Sequence, residues 1–266
     1  MREVASTPLH AGRTSGYSST MQARRWMVAF SVGAALACRP TAAVIPVGDG
    51  VMLSMDERVY TEPGLLPSEL AALQRANETA LQNLVRAFDL PLRSSPWVLF
   101  CHTASCKVVF GAAPESASAA DLGFARDGLQ LRDGWKEQSI VVVTGPVEGS
   151  ARILTHERVH AEMKAWVPYD ALPTWFNEGM ATLVAGEPRC EGVALLSSFD
   201  VTQLNTKQAW QEHLRTHAAR ETYCQSRQAV AAWTARFPDG KQTAAALRAL
   251  MADVAAGSSF ERAFAK

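Results

Sequence analysis

The chain has no excess of charge of either sign: 26 basic side chains balance 26 acidic ones, and no long run of one sign occurs. Nothing in this composition draws the chain to nucleic acid or to an anionic membrane, and we expect no nucleic-acid partner. The sequence also has no CxxC pair, which argues against a thiolate zinc site, and it has no internal repeat. It does have a hydrophobic fraction of 48% over 266 residues, which is ordinary for a globular protein.

The N-terminal segment has no apolar run as long as a membrane-spanning helix usually needs. Residues 1–20 are polar and rich in Ser, Thr and Gly, and we expect them to be disordered or to precede the true start. Within residues 21–43, Arg24 and Arg25 precede an apolar run of about 12 residues and then small side chains, which is typical of a secretory signal. Cleavage would fall near Ala37 or Ala43, so we expect a periplasmic or otherwise extracytoplasmic protein.

Cys38 leaves two alternatives open for this segment. A cysteine directly after such a run could be lipidated, although the residue three positions before it is Ala35, where leucine is usual. The segment could also remain as a membrane anchor or a buried helix. Membrane attachment through residues 21–43 or through a lipidated Cys38 therefore stays open beside cleavage.

The remaining cysteines are even in number, which in an exported chain favours disulfide bonds. Four cysteines allow three pairings, and the spacing alone does not choose among them. We favour Cys101 with Cys106, because CHTASC closes a short loop, and this leaves Cys190 to pair with Cys224.

The order of the predicted elements favours an α+β fold. Short runs rich in β-branched and aromatic residues predict strands over 97–101 and 139–143, and 128–132 could pair with the second. Residues 112–120 have too few large side chains to pack, so they predict a loop. Apolar residues at helical spacing predict helices over 68–88, 150–166, 174–185 and several Ala-rich stretches after Thr206. Because strands come first and helices later, we predict a single α+β domain over residues 44–266.

The first helix after the strands carries an HExxH motif, in which His156 and His160 flank Glu157. Side chains four apart on a helix lie on one face, so the two imidazoles can reach one zinc ion at nitrogen distances of about 2 Å. Glu157 lies beside the first histidine, where it can take a proton from a zinc-bound water of pKa about 7. The motif therefore predicts a hydrolytic metal site.

A third ligand is predicted downstream, in the segment LPTWFNEGMATL. Glu178 follows His160 after about 17 residues, enough for one helix to end and a second to return. Two histidines and one glutamate make the three-ligand set typical of catalytic zinc, which keeps a fourth position for water or substrate. Gly179 and Ala181 are expected to let the second helix pack closely on the first.

HExxH followed by WFNEGMA resembles the gluzincins of the peptidase MA clan, which include thermolysin and the aminopeptidase N-like enzymes. The resemblance implies a zincin-like fold, Zn²⁺ bound by His156, His160 and Glu178, and Glu157 as catalytic base. It also implies that 139–143 is an edge strand that pairs with extended peptide. The chain lacks the GAMEN-like segment that the aminopeptidases have before the HExxH motif. The gap between His160 and the third ligand is also about one residue shorter than in those aminopeptidases. Aminopeptidase specificity is therefore not carried over.

The remaining candidates carry weaker predictions. Tyr223 could donate a hydrogen bond to a developing oxyanion, or could be a core tyrosine. Trp166 and Trp175 could wall the pocket or belong to the core. Glu162 is expected to be solvated because it lies on another face of the motif helix. His213 and His217 are four apart but lack a third ligand, so we interpret them, like His102, as surface residues and not as metal ligands.

These features together predict an exported, monomeric zinc metallopeptidase that cleaves peptide or protein substrates. The first alternative is a non-catalytic envelope protein that keeps a zincin scaffold for binding, against which the intact Glu157 argues. The second is a metallohydrolase that acts on a bond other than a peptide bond.

Overall fold

The computed structural model describes residues 44–47, 50–103, 106, 123–127, 139–144, 146–192 and 199–266. The predictions for 1–20, for 21–43 with Cys38, for the loop 112–120 and for 128–132 lie outside these residues. The described residues belong to one unit, Thr41–Lys266. No helix of the described part is both long and apolar enough to cross a membrane.

The described strands are β1 Val44–Val47, β2 Gly50–Asp56, β3 Val59–Thr61, β4 Trp97–Cys101, β5 Gly123–Asp127 and β6 Ser139–Thr144. These six strands form one mixed sheet in the order β1-β2-β3-β4-β6-β5. The first three strands pair antiparallel, β3–β4 and β4–β6 pair parallel, and β5 runs antiparallel to β6. The strands predicted over 97–101 and 139–143 are confirmed as β4 and β6.

The expectation that the strand at 139–143 forms an edge is wrong. β6 pairs with β4 on one side and with β5 on the other, so its backbone groups are engaged within the sheet. Of the described strands, β5 lies at that end of the sheet. The residues that pair with β6 from this side are Gly123–Asp127, which precede the segment 128–132 that the sequence suggested.

Seven helices have both ends among the described residues: α1 Pro67–Phe88, α2 Ser150–Trp166, α3 Thr174–Val184, α4 Lys207–Thr216, α5 Ala219–Thr234, α6 Gly240–Ala255 and α7 Phe260–Phe264. The helices predicted over 68–88, 150–166 and 174–185 are confirmed within a residue at each end, and helices are present after Thr206 as expected. The sequence specifies several helix starts: Thr206 caps α4 by accepting from the Ala209 N–H, and Asp239 caps α6 by accepting from the Gln242 N–H. A mixed sheet with a mainly helical second half confirms the α+β class.

Helix α2 lies between two hydrophobic cores. Ile153 and Leu154 join the core between the sheet and α1, whereas Val159 and Met163 join the core of the helical half. Burial of side chains on both sides fixes the position of α2 more firmly than one apolar face could. The helix that carries the HExxH motif thus packs against both the core under the sheet and the core of the C-terminal helices.

Candidate metal centre

Three side chains with metal-binding atoms converge from two helices. His156 and His160 come from α2 and Glu178 comes from α3. The Glu178 Oε2 atom lies 3.3 Å from His156 Nε2 and 3.5 Å from His160 Nε2. The imidazole rings meet edge to face, with centroids 4.8 Å apart. The two elements therefore bring together the three residues that the sequence predicted as ligands.

The spacing of these atoms fits a tetrahedral ion. Two ligands of a tetrahedral centre with bonds of about 2.0–2.1 Å lie about 3.3–3.4 Å apart. The two Glu178–histidine separations of 3.3 Å and 3.5 Å are close to that value. One atom from each of the three side chains lies within 4.8 Å of the others. The group could therefore hold a metal ion without a large rearrangement.

Asn177 orients the second histidine. Its Oδ1 lies 2.8 Å from His160 Nδ1, and both side chains are buried. With the proton on Nδ1, the imidazole donates to the amide oxygen and presents the lone pair of Nε2 toward Glu178. The sequence reasoning missed this residue, although its place directly before the glutamate in WFNEGMA could have indicated it. Consecutive residues of α3 thus supply one ligand and fix another.

The charges of His160 and Glu178 strongly affect each other's protonation. Burial lowers the pKa of His160, but the negative charge of Glu178 outweighs it and raises that pKa to about 9. For Glu178 burial acts in the opposite direction and raises the pKa, but the two histidines outweigh it and hold that pKa well below its usual range. Below the pKa of His160 both of its ring nitrogens carry a proton. A metal ion must displace the proton on Nε2, so its binding is expected to release a proton.

Glu157 and Tyr223 line the cavity that opens beside the ligands. This cavity has a volume of about 310 Å³, and His156 also lines it. Glu157 is only 9% exposed, and its charge contributes to the raised pKa of His160. The Tyr223 ring comes from α5, with its centroid 6.2 Å from that of His156, and it packs edge-on against Trp210 at 5.2 Å. Tyr223 thus faces the site and also packs on the helical core.

Both predicted disulfide pairings are confirmed. Cys101 bonds Cys106 with sulfur atoms 1.97 Å apart, and Cys190 bonds Cys224 at 2.00 Å. The second bond lies in the cavity wall, where it joins the turn Pro188–Cys190 to α5 next to Tyr223. Two disulfides are consistent with an extracytoplasmic protein.

Gly179 is needed for close packing, but on a different helix from the one predicted. A Cβ atom at this position would lie 2.5 Å from the backbone oxygen of Ser226 and 2.7 Å from Val230 Cγ2. Both residues belong to α5, so the glycine lets α3 approach α5 and not the HExxH helix. Ala181, the other small residue, is fully buried in the core of the helical half.

The prediction that Glu162 is solvated is wrong. Its side chain is fully buried, and its carboxylate accepts hydrogen bonds from the Arg93 and Ser94 N–H groups, each at 2.8 Å. The Ser94 hydroxyl at 2.7 Å and Trp166 Nε1 at 2.9 Å also donate to it. Glu162 therefore links α2 by hydrogen bonds to Arg93 and Ser94, in the segment before β4.

Neither of the candidate tryptophans lines the cavity. Trp166 donates to Glu162, and the Arg93 guanidinium lies 3.4 Å from its ring centre. Trp175 is buried in the aromatic cluster of the helical core, with Phe176 5.7 Å away. Of the two interpretations that the sequence left open, the core one applies to Trp175, and Trp166 packs at the edge of that core.

The other histidines of the described residues, His102, His213 and His217, do not belong to the metal group. The rings of His213 and His217 stack face to face at 3.9 Å, and Phe199 stacks on His213 at 4.0 Å. Among the described residues, no carboxylate or thiolate completes a three-ligand group with them. His102 is half-buried, and its backbone N–H donates to the Glu62 carboxylate.

Comparisons of the chain with protein-family models, with curated proteins and with solved structures find no match. A functional assignment therefore depends on the residues of the metal group and on the cavity beside it.

Proposed function

We propose that the protein is an exported zinc metallopeptidase of the gluzincin type, with a zincin-like fold. The observation that carries this proposal is the approach of Glu178 Oε2 to both histidine Nε2 atoms, at 3.3 Å and 3.5 Å, beside a cavity that Glu157 lines. The disulfides and the signal-like N-terminal sequence support an extracytoplasmic location.

The donor set favours zinc over other common ions. Two imidazoles and one carboxylate suit Zn²⁺, which in catalytic sites keeps three protein ligands and an open fourth position. Mg²⁺ and Ca²⁺ prefer oxygen ligands only, and two of the three donors here are nitrogen atoms. A bound zinc ion would polarise a carbonyl group and lower the pKa of a water molecule to about 7.

Glu157 is proposed as the general base and later as the general acid. It lies next to a ligand in the sequence, it lines the cavity, and burial leaves it only 9% exposed. From there its carboxylate can take the proton of the attacking water and then deliver it to the leaving amine nitrogen. Such proton transfer contributes about 10²–10⁴-fold to a rate, which sets the size of the expected defect.

Tyr223 is proposed to stabilise the oxyanion. Its ring lies near that of His156, and both side chains line the cavity. A tyrosine hydroxyl can donate a hydrogen bond to the negative charge that develops on the scissile carbonyl oxygen. The contact with Trp210 restricts the ring and so limits the reorientation needed during the reaction.

The test combines zinc content with cleavage of a peptide library, on the full-length protein and on Glu157→Gln. We expect the wild type to hold zinc and cleave peptides, whereas Glu157→Gln holds zinc but cleaves about 10²–10⁴-fold more slowly. Glu212→Gln, an exposed glutamate on α4, is the matched control and should behave as wild type. Undiminished cleavage by Glu157→Gln would refute the proposed mechanism. Zinc without cleavage in the wild type would favour the non-catalytic scaffold.

A further inference from the structure

The cavity beside the metal group has an arginine-rich end. Of the described residues that line it, Arg152, Arg189 and Arg220 are basic, and Glu157 and Glu187 are acidic. Glu157 is assigned to the proposed catalytic group. The three guanidinium groups therefore have only one other carboxylate among the described lining residues, that of Glu187.

Helix geometry puts this end next to the reacting centre. Arg152 lies four residues before His156 on α2, so the two side chains are one turn apart on the same face. Arg220 precedes Tyr223 by three residues on α5, which gives the same relation on the opposite wall. Each wall of the cavity therefore carries a catalytic-site residue and, one turn away, an arginine.

Glu187 neutralises only part of this charge. It pairs with Arg152 Nη1 and accepts from Arg189 Nε at 2.8 Å and Arg189 Nη2 at 3.1 Å. Although burial raises its pKa, these hydrogen bonds and the charge of Arg152 lower it to about 2, so Glu187 stays ionised. One negative charge against three positive ones leaves an excess of two positive charges at this end.

Arg220 is the residue best placed to hold an incoming anion. Its Nε donates to the backbone oxygen of Arg189 at 2.8 Å, which fixes the guanidinium plane against the turn. Within the described part of the chain, its two terminal nitrogen atoms make no hydrogen bond or ion pair, and its side chain is exposed. A fixed guanidinium with unengaged terminal nitrogens is the donor geometry that binds a carboxylate in two parallel hydrogen bonds.

The wall that carries Arg189 and Arg220 is cross-linked. The Cys190–Cys224 disulfide joins the turn that holds Arg189 to the helix that holds Arg220. A charged wall that is already rigid loses little conformational entropy when a ligand binds.

We propose that this arginine-rich end binds a carboxylate of the substrate, with Arg220 as a specificity-determining residue. The carboxylate would be either an acidic side chain near the scissile bond or the free C-terminus of the peptide. The inference deepens the proposed peptidase function and rests on it for the cleavage step. Binding of the carboxylate can nevertheless be measured without turnover.

The test uses retention of synthetic peptides on immobilised, zinc-loaded protein carrying Glu157→Gln. Two random libraries are compared, one with free C-termini and one with C-terminal amides. Enrichment of Asp and Glu in both libraries identifies a side-chain carboxylate, whereas retention of the free-acid library alone identifies the C-terminus. We expect Arg220→Gln to reduce the preference about tenfold or more, and Arg220→Lys to reduce it less. Arg215→Gln, an exposed arginine on α4, removes the same charge outside the cavity and should change nothing.

Retention without any preference for carboxylates, or no retention in either library, would overturn the inference. A preference that survives Arg220→Gln would overturn the role of that arginine. A preference in retention combined with no cleavage by the wild type would leave the carboxylate site standing and refute the peptidase function.

Discussion

Replacing Gly179 by alanine tests how closely the ligand-bearing helix α3 must approach α5. The added Cβ would lie 2.5 Å from the Ser226 backbone oxygen and 2.7 Å from Val230 Cγ2. The valine methyl could rotate away, but the carbonyl oxygen can move only if α5 moves with it. The substitution should therefore separate the two helices.

The expected cost follows from two opposing effects. Overpacking of a well-packed interior costs about 1–3 kcal/mol, and the upper end applies here because the nearest atom belongs to the backbone. Alanine recovers about 1 kcal/mol through its higher helix propensity. The net loss should be about 1–2 kcal/mol, which lowers the Tm of a domain of this size by roughly 2–8 °C. Because Glu178 precedes the glycine, its displacement should also weaken zinc binding about tenfold.

Thermal unfolding by circular dichroism and zinc affinity by competition with a chromogenic chelator measure these two effects. Gly240→Ala is the matched control, because a Cβ at that first residue of α6 meets no atom within 4 Å. It should stay within about 0.5 kcal/mol of the wild type. If Gly179→Ala unfolds at the same temperature as Gly240→Ala and binds zinc as tightly as the wild type, the packing argument is wrong.

Three further predictions concern the surroundings of the ligands. Glu162→Gln should lower the free energy of unfolding in urea by about 2–4 kcal/mol, because an amide group must face donors that now meet a carboxylate; a loss below about 0.5 kcal/mol would contradict this role. Asn177→Ala should weaken zinc binding about 10–100-fold in chelator competition. Unchanged zinc affinity would show that the Asn177 amide does not orient His160 for binding. In metal-free protein the pKa of His160 is raised from 6.5 to about 9 by Glu178. Its stabilising effect should be complete below pH 6.5 and lost as the pH rises through about 9, so Tm should fall over that range in the wild type but not in His160→Gln.

The sequence was most informative where the structure is local. Helix α2 has the predicted bounds, Ser150–Trp166, and the i,i+4 spacing of its two histidines is enough to place them on one face. The pairing of Cys101 with Cys106 is predictable for the same reason, because only five positions separate the two residues.

Contacts between distant parts of the chain could not be predicted in this way. Glu162 meets the Arg93 N–H group 69 positions away, and no helical periodicity reports such a partner. The same applies to Gly179, whose neighbours lie on a helix that begins much later in the chain. The pairing of β5 with β6 likewise depends on contacts across the sheet, which a single strand does not encode.

The convergence of the arginines also depends on tertiary contacts. Arg152 and Arg220 come from different helices, and only the packing of α2 and α5 around one cavity brings them to the same end. Neither residue belongs to a motif, so no linear pattern groups them.

The zinc content of the full-length protein tests the central claim most directly. Mass spectrometry on protein purified without chelating resin should find equimolar zinc in the wild type and in Glu157→Gln. Removal of the third ligand by Glu178→Ala should reduce the zinc content to a small fraction. A wild type without zinc, or a Glu178→Ala variant that keeps its full zinc content, would contradict the assignment of His156, His160 and Glu178 as the metal centre.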